Sequence, residues 1–173
     1  VIGLGLHEAM ACLVPGLPRG DYEQMIQRYR AHWLPRDPQV ALFPGSVAML
    51  AQLAERGHML AIATGKSSAG LRRALHATGV ADFFAATRCA DQCASKPAPD
   101  MLQELMHELA TLPEHTLMVG DTTHDLQMAR HAGVDALAIC HGAHARDNLA
   151  ALEPLACLDD TAQLAQWLQS HAA

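Results

Sequence analysis

From Met59 to the end of the chain, short apolar runs of three to five residues alternate with stretches whose apolar positions recur at helical spacing. That alternation admits few folds, because strands joined through helices lie parallel, with the helices packed on the sheet. Met59-Leu60-Ala61-Ile62-Ala63 reads as a buried strand and Ser67 to Thr78 as the helix after it. Phe83 to Thr87 is a weaker strand, and Met101, Leu102, Leu105, Met106 and Leu109 form a helical stripe behind Pro97 and Pro99, which suit a helix start. Thr116 to Val119 is the next strand, followed by a helix from Thr122 to His131 that Gly133 ends. Ala136 to Cys140 is a strand leading into a loop, and the chain closes on Ala156-Cys157-Leu158 and a helix with Leu164, Trp167 and Leu168 on one face.

Before Phe43 the pattern changes. His7 to Leu13 and Tyr22 to Trp33 read as helices with mixed faces, separated by Pro15-Gly16-Leu17-Pro18, and no strand pattern occurs among them. Residues 1–41 are therefore expected to be a partial helical appendage and residues 42–173 the core. Leu42-Phe43-Pro44-Gly45 is the turn between them, with Val47, Leu50, Leu53 and Ala54 as the expected buried stripe of the next helix.

Composition narrows the partners. With 12 Lys and Arg against 18 Asp and Glu, the net charge of -6 offers no cationic surface to a phosphodiester backbone, so no nucleic acid is expected. The five cysteines form no CxxC pair and are odd in number, which suits reduced thiols in the cytoplasm. No apolar run approaches the ~18 residues of a membrane span.

Three polar motifs carry the chemistry. Ala63-Thr64-Gly65-Lys66, Ser95-Lys96-Pro97 and Gly120-Asp121-Thr122-Thr123-His124-Asp125 stand at or near the ends of predicted elements. In a parallel sheet, ligands bind beyond the carboxyl ends of the strands, where Thr64 and Asp121 fall. Thr64 can give its hydroxyl to a phosphate oxygen while Gly65 allows close backbone approach and the next helix offers its amides. A strand-to-helix turn with a cap is the plainer alternative. Pro97 keeps Lys96 out of a helix interior, so its ammonium can offset phosphoryl charge, or be an ordinary solvated lysine. On the crevice reading, replacing Lys96 leaves stability little changed. Asp121 and Asp125, four apart, suit a hard cation such as Mg²⁺, and equally suit helix capping.

Together these motifs resemble the haloacid dehalogenase superfamily of phosphohydrolases, in its phosphoglycolate-phosphatase-like branch. Ala63-Thr64-Gly65 looks like its second motif, Lys96 its third, and Gly120-Asp121 with Asp125 its fourth, and Leu42-Phe43-Pro44-Gly45 is close to that branch's wording. The resemblance implies a Rossmann-like parallel sheet with helices on both faces plus a small helical cap. It also implies Mg²⁺-dependent transfer of a phosphoryl group from a small phosphorylated substrate to an aspartate and then to water. Asp121 would bind the metal and Asp125 support it without touching it, while Thr64 and Gly65 hold phosphoryl oxygens and Lys96 neutralises charge. The family's first motif, two aspartates flanking one residue and followed by Gly-Thr, does not occur here. The natural protein is expected to begin roughly 35 to 45 residues earlier, with that motif on a strand in the middle of the sheet. A phosphosugar mutase or pyrophosphatase on the same scaffold, or an inactive phosphate- or protein-binding relative, are the alternatives.

Two other groups carry weaker signals. His141-Gly142-Ala143-His144 can line the crevice mouth but lacks a third zinc ligand, and His124 reads as a solvated residue of the first helical turn. Cys89 and Cys93 can share a helix or loop face, but nothing nearby is cationic enough to make either a convincing thiolate nucleophile.

Overall fold

Parallel pairing organises the molecule, which was analysed as a computed structural model describing residues 1–33, 35 and 41–171. Helices α1 (Leu6–Leu13) and α2 (Arg19–Trp33) come first, followed by α3 (Ser46–Glu55). Strand β1 (Leu60–Thr64), helix α4 (Ser68–Thr78), strand β2 (Phe84–Cys89) and helix α5 (Asp100–Glu108) form the next stretch. The chain then runs through β3 (Leu117–Gly120), α6 (Thr123–Ala132), β4 (Asp135–Ile139), α7 (Arg146–Ala150), β5 (Ala156–Leu158) and α8 (Thr161–His171). The α/β fold class with parallel strands is as expected.

Local chemistry sets the helix limits. Ser67 caps α4 by accepting the Gly70 N–H at 3.3 Å, and Gly79 ends it in the left-handed conformation at φ 69°. Thr122 and Asp125 cap α6 reciprocally, and Gly133 ends it at φ 72°. Adjacent residues of β4 then face opposite layers. Leu137 packs with Leu158, Leu164 and Leu168 and is joined by Met49 and Leu53 of α3, while Ala138 packs with Leu126 of α6 and Leu149 of α7. Helices thus cover both faces, and each fully buried leucine contributes about 1.5–3 kcal/mol relative to exposure.

The sheet is divided. β1 pairs with β2, β3 pairs with β4 and β4 with β5, all parallel, but among the described residues no pairing joins β1 to β3. This seam falls where the family resemblance gives a place to a further strand. It also corrects the expectation of a buried first strand. No residue of β1 is fully buried, Ala61 is exposed, and Met59 lies outside the strand at 58% exposure. Below the seam, Met101, Leu102 and Met106 of α5 pack with Met118 of β3, Met128 and Ala129 of α6, and Ala63 of β1.

Other expectations are corrected by packing. α3 buries Met49 and Leu53 only partly, and Val47 is 50% exposed, so the expected stripe is rotated toward α8. The loop expected after β4 contains the short helix α7. Met10, Tyr22 and Ile26 form a cluster of their own between α1 and α2. The expected boundary at residue 41 abuts residues 36–40, which lie outside the described residues.

Candidate active site

The carboxyl ends of β1 and β3 carry the motif residues, and Lys96 links them. Its ammonium donates to the Ala63 carbonyl at 2.9 Å and to Asp125 Oδ1 at 2.5 Å. Lys96 is only 6% exposed, so the solvated-lysine alternative does not hold. The loop bearing it is fixed again at its next residue, where His131 Nδ1, near the end of α6, donates to the Pro97 carbonyl at 2.8 Å. Serine at the other flank, Ser95, accepts the Gly5 N–H through Oγ at 2.8 Å.

Asp125 is fully committed. Beside the Lys96 contact, its Oδ2 accepts the Thr122 N–H at 3.0 Å and the Thr122 hydroxyl at 2.7 Å. Its own N–H donates to Thr122 Oγ1 at 3.2 Å, which completes the cap. A carboxylate this buried and this fully bonded orders its neighbours and has no oxygen free for an ion. Gly120 is required beneath it, because a Cβ there would lie 2.3 Å from Asp125 Cβ.

Asp121 differs. It is half-buried, its Oδ2 accepts the Ala143 N–H at 2.9 Å, and its Oδ1 has no hydrogen-bond partner among the described residues. One hard carboxylate oxygen is thus left without a protein partner among the described residues. Among the described residues no three His, Cys, Asp or Glu side chains gather as a metal cluster. That donor set fits Mg²⁺, which takes one or two carboxylates and completes its shell with water and phosphate.

Thr64 and Gly65 sit at the end of β1. The Lys66 N–H donates to Thr64 Oγ1 at 3.2 Å, and Gly65 lies so close to the start of the chain that a Cβ would meet the Leu4 carbonyl at 2.4 Å. Gly3 is in turn packed on Thr122. The segment before α1 therefore runs along the crevice past Gly65, Thr122 and Ser95. Two of the α4 amides expected to be offered to phosphate are taken within the protein. The Ser68 N–H is held by Asp91 at 2.9 and 3.1 Å and the Gly70 N–H by Ser67, so these donors are already used. Burial pushes the Asp91 carboxyl up, but hydrogen bonds from Ser68 outweigh it and leave it below the ordinary range.

Several contributors escaped the sequence reading. The β4–α7 loop folds over Asp121, and Gly142 is forced there, since a Cβ would stand 2.2 Å from Asp121 Cβ. The reading of His141 to His144 as lining the crevice mouth anticipated the place of this loop, but not its hold on Asp121. His124 is half-buried, not solvated: its ring meets that of His144 at 5.6 Å and its Nδ1 is buried without a partner. Burial, then the nearby His144, lowers its pKa from the usual 6.5. Burial raises the Cys89 and Cys93 thiols, which keeps both away from thiolate chemistry.

Comparison with known proteins sets the class first. A hydrolase from Pseudomonas syringae superposes with a TM-score of 0.88 over 99% of this chain and 81% of its own, at 19% identity, and so shares the fold. Residues 1–139 match the family of haloacid dehalogenase-like hydrolases. Over 165 residues the chain is 38% identical to the probable phosphatase IndB of Dickeya dadantii (strain 3937), covering 91% of this chain and 71% of that protein. Over 175 residues it is 35% identical to the phosphoglycolate phosphatase of Rhodospirillum rubrum, covering 96% of this chain and 72% of that protein. The chain belongs to the haloacid dehalogenase-like hydrolases. That membership bears out the expected class, a phosphatase-type hydrolase.

Proposed function

We propose that this protein is a Mg²⁺-dependent phosphatase of a small phosphorylated metabolite, similar to phosphoglycolate phosphatase, working through an aspartyl-phosphate in the cytoplasm. The observation that carries the reading is the meeting of the Lys96 ammonium with the carboxyl end of β1 and the first turn of α6, the helix that Asp121 precedes by two residues. Asp121 holds Mg²⁺, and the ion supplies charge stabilisation for the phosphoryl oxygens. The Thr64 hydroxyl and Gly65 N–H orient those oxygens. Lys96, held by Asp125, keeps a positive charge beside them as the phosphoryl group passes from the leaving oxygen to the carboxylate and then to water. Five free thiols suit the proposed compartment.

In this reading residues 1–41 are part of a cap and residues 42–173 the core, supported by the separate Met10, Tyr22 and Ile26 cluster. The Gly3-Leu4-Gly5 segment over Gly65 is then the part of the cap that meets the substrate. The nucleophilic aspartate enters on a strand that fills the seam between β1 and β3, and that aspartate attacks phosphorus before water releases phosphate.

The test is direct. The 173 residues alone should show no Mg²⁺-dependent turnover of p-nitrophenyl phosphate, whereas the product of the coding sequence extended upstream should carry Asp-x-Asp-Gly-Thr and turn it over. Robust turnover by the 173-residue chain would overturn the assigned nucleophile. An upstream sequence without that motif would favour a binding relative.

A further inference from the structure

The loop that leaves β4 holds Asp121 by more than the contact already described. The His144 N–H donates to the Asp121 carbonyl at 3.1 Å. The His144 side chain turns to the start of α6, where Nδ1 accepts the Thr123 N–H at 3.0 Å and lies 3.2 Å from the Thr123 hydroxyl. Thr123 is the first residue of α6, and its amide is among the donors a helix leaves without an internal partner. A backbone N–H can only donate, so Nδ1 carries no proton here and the ring proton sits on Nε2. One residue therefore grips Asp121-Thr122-Thr123 at both ends, by its main chain at Asp121 and by its imidazole at Thr123.

We propose that His144 is a positioning residue for Asp121, fixing the backbone on either side of Thr122 so that the free carboxylate oxygen stays aimed at the cation. The inference rests on the reading of Asp121 as the cation's ligand. It accounts for a histidine beside a helix start already capped by Thr122 and Asp125, because that cap does not reach the first amide of the helix. Thr122 is turned inward to Asp125, and the next amide needs an acceptor from elsewhere. Partners that orient a metal ligand are worth about 10- to 100-fold in metal affinity. His144 is half-buried and borders an open groove with Gln127 and Asn148, so replacing it seals no cavity.

The experiment measures Mn²⁺ binding by electron paramagnetic resonance in the full-length protein without substrate, beside Asp121→Asn, His144→Leu and His144→Asn. Leucine keeps bulk and loses the acceptor, whereas asparagine Oδ1 stands near the position of Nδ1. Asp121→Asn should abolish binding, and His144→Leu should raise the Mn²⁺ dissociation constant about tenfold or more. His144→Asn should stay near the parent value. In assays of p-nitrophenyl phosphate turnover, the Mg²⁺ concentration for half-maximal rate should rise in His144→Leu, with kcat recovered at saturating Mg²⁺. Parental binding in Asp121→Asn would overturn the ligand reading and this inference with it. Loss in Asp121→Asn together with parental binding in His144→Leu, or an equal loss in His144→Asn, would overturn the positioning role alone. If His144→Leu does not fold, His144→Asn decides: parental affinity supports the role and a tenfold loss removes it.

Discussion

Lys96 and Asp125 form an ion pair at 2.5 Å with only 6% and 5% of their side chains exposed, and the pair ties the loop after β2 to the first turn of α6. Because the same ammonium also binds the Ala63 carbonyl, it joins the two separately paired sheets at their carboxyl ends. The residue proposed to meet the phosphoryl group is thus also a structural bridge.

Lys96→Met should therefore damage both stability and turnover, contrary to the expectation for a lysine that merely faces a polar crevice. Removing one partner of a buried pair costs about 3–5 kcal/mol, because the other charge is left uncompensated. Urea denaturation of Lys96→Met, Asp125→Asn and the double variant should give a coupling of about 1–3 kcal/mol. A Lys96→Met protein as stable as the parent would show that the pair carries no structural weight.

At the two aspartates the balance is reversed. Asp121→Asn keeps an oxygen for the Ala143 N–H but loses the charge, so kcat should fall steeply while the melting temperature changes little. Asp125→Asn should lower the melting temperature more, since it breaks the Lys96 pair and weakens the cap of α6. Measuring both quantities on both variants checks the assignment. Near-parental activity of Asp121→Asn at limiting Mg²⁺ would reduce that residue to a loop anchor.

Gly142→Ala tests the loop over Asp121. The new Cβ would stand 2.2 Å from Asp121 Cβ and 2.3 Å from Oδ2, too close to be relieved by a rotamer change. Activity should drop at least tenfold or so, in line with the loss of an orienting contact. Gly20→Ala in α2, where nothing lies within 4 Å, is the control. It should be neutral or stabilising by up to about 1 kcal/mol.

His124 supplies a pH dependence of stability. Its folded-state pKa is lowered from the ordinary 6.5 by burial and by His144, so between the lowered value and 6.5 the unfolded chain binds more protons than the folded one. Stability then rises with pH: the contribution is intact above about pH 6.5 and is lost as pH falls below it, until the folded-state pKa is passed. Chemical denaturation at pH 7.5 and 5.5 should show a smaller difference for His124→Gln than for the parent. Equal differences would mean that other groups carry the pH response.

Much of the arrangement is legible from local patterns. The apolar runs locate β1 to β4 to within a residue or two, and Gly79, Gly133, Ser67 and Thr122 mark helix ends because caps are chemistry of neighbours in sequence. Thr64, Lys96 and Asp121 are legible as candidate site residues for the same reason, standing just past strands or before a proline. What depends on distant residues is not. Nothing near Lys96 in sequence reveals Asp125 as its partner 29 residues on, and nothing near His144 reveals Thr123, 21 residues back. Val47 fits a helical stripe, yet its exposure is decided by how α3 lies on α8.

The seam between β1 and β3 sets what a strand entering it would meet. Within each sheet, a ladder of backbone hydrogen bonds fixes the register. Across the seam, among the described residues, no strand pairing does so, and the two halves are linked by Lys96 and by a methionine-rich cluster of Met101, Met106, Met118 and Met128. Methionine side chains are flexible and keep contact while shifting, so that cluster can repack around a strand that pairs with β1 on one side and β3 on the other.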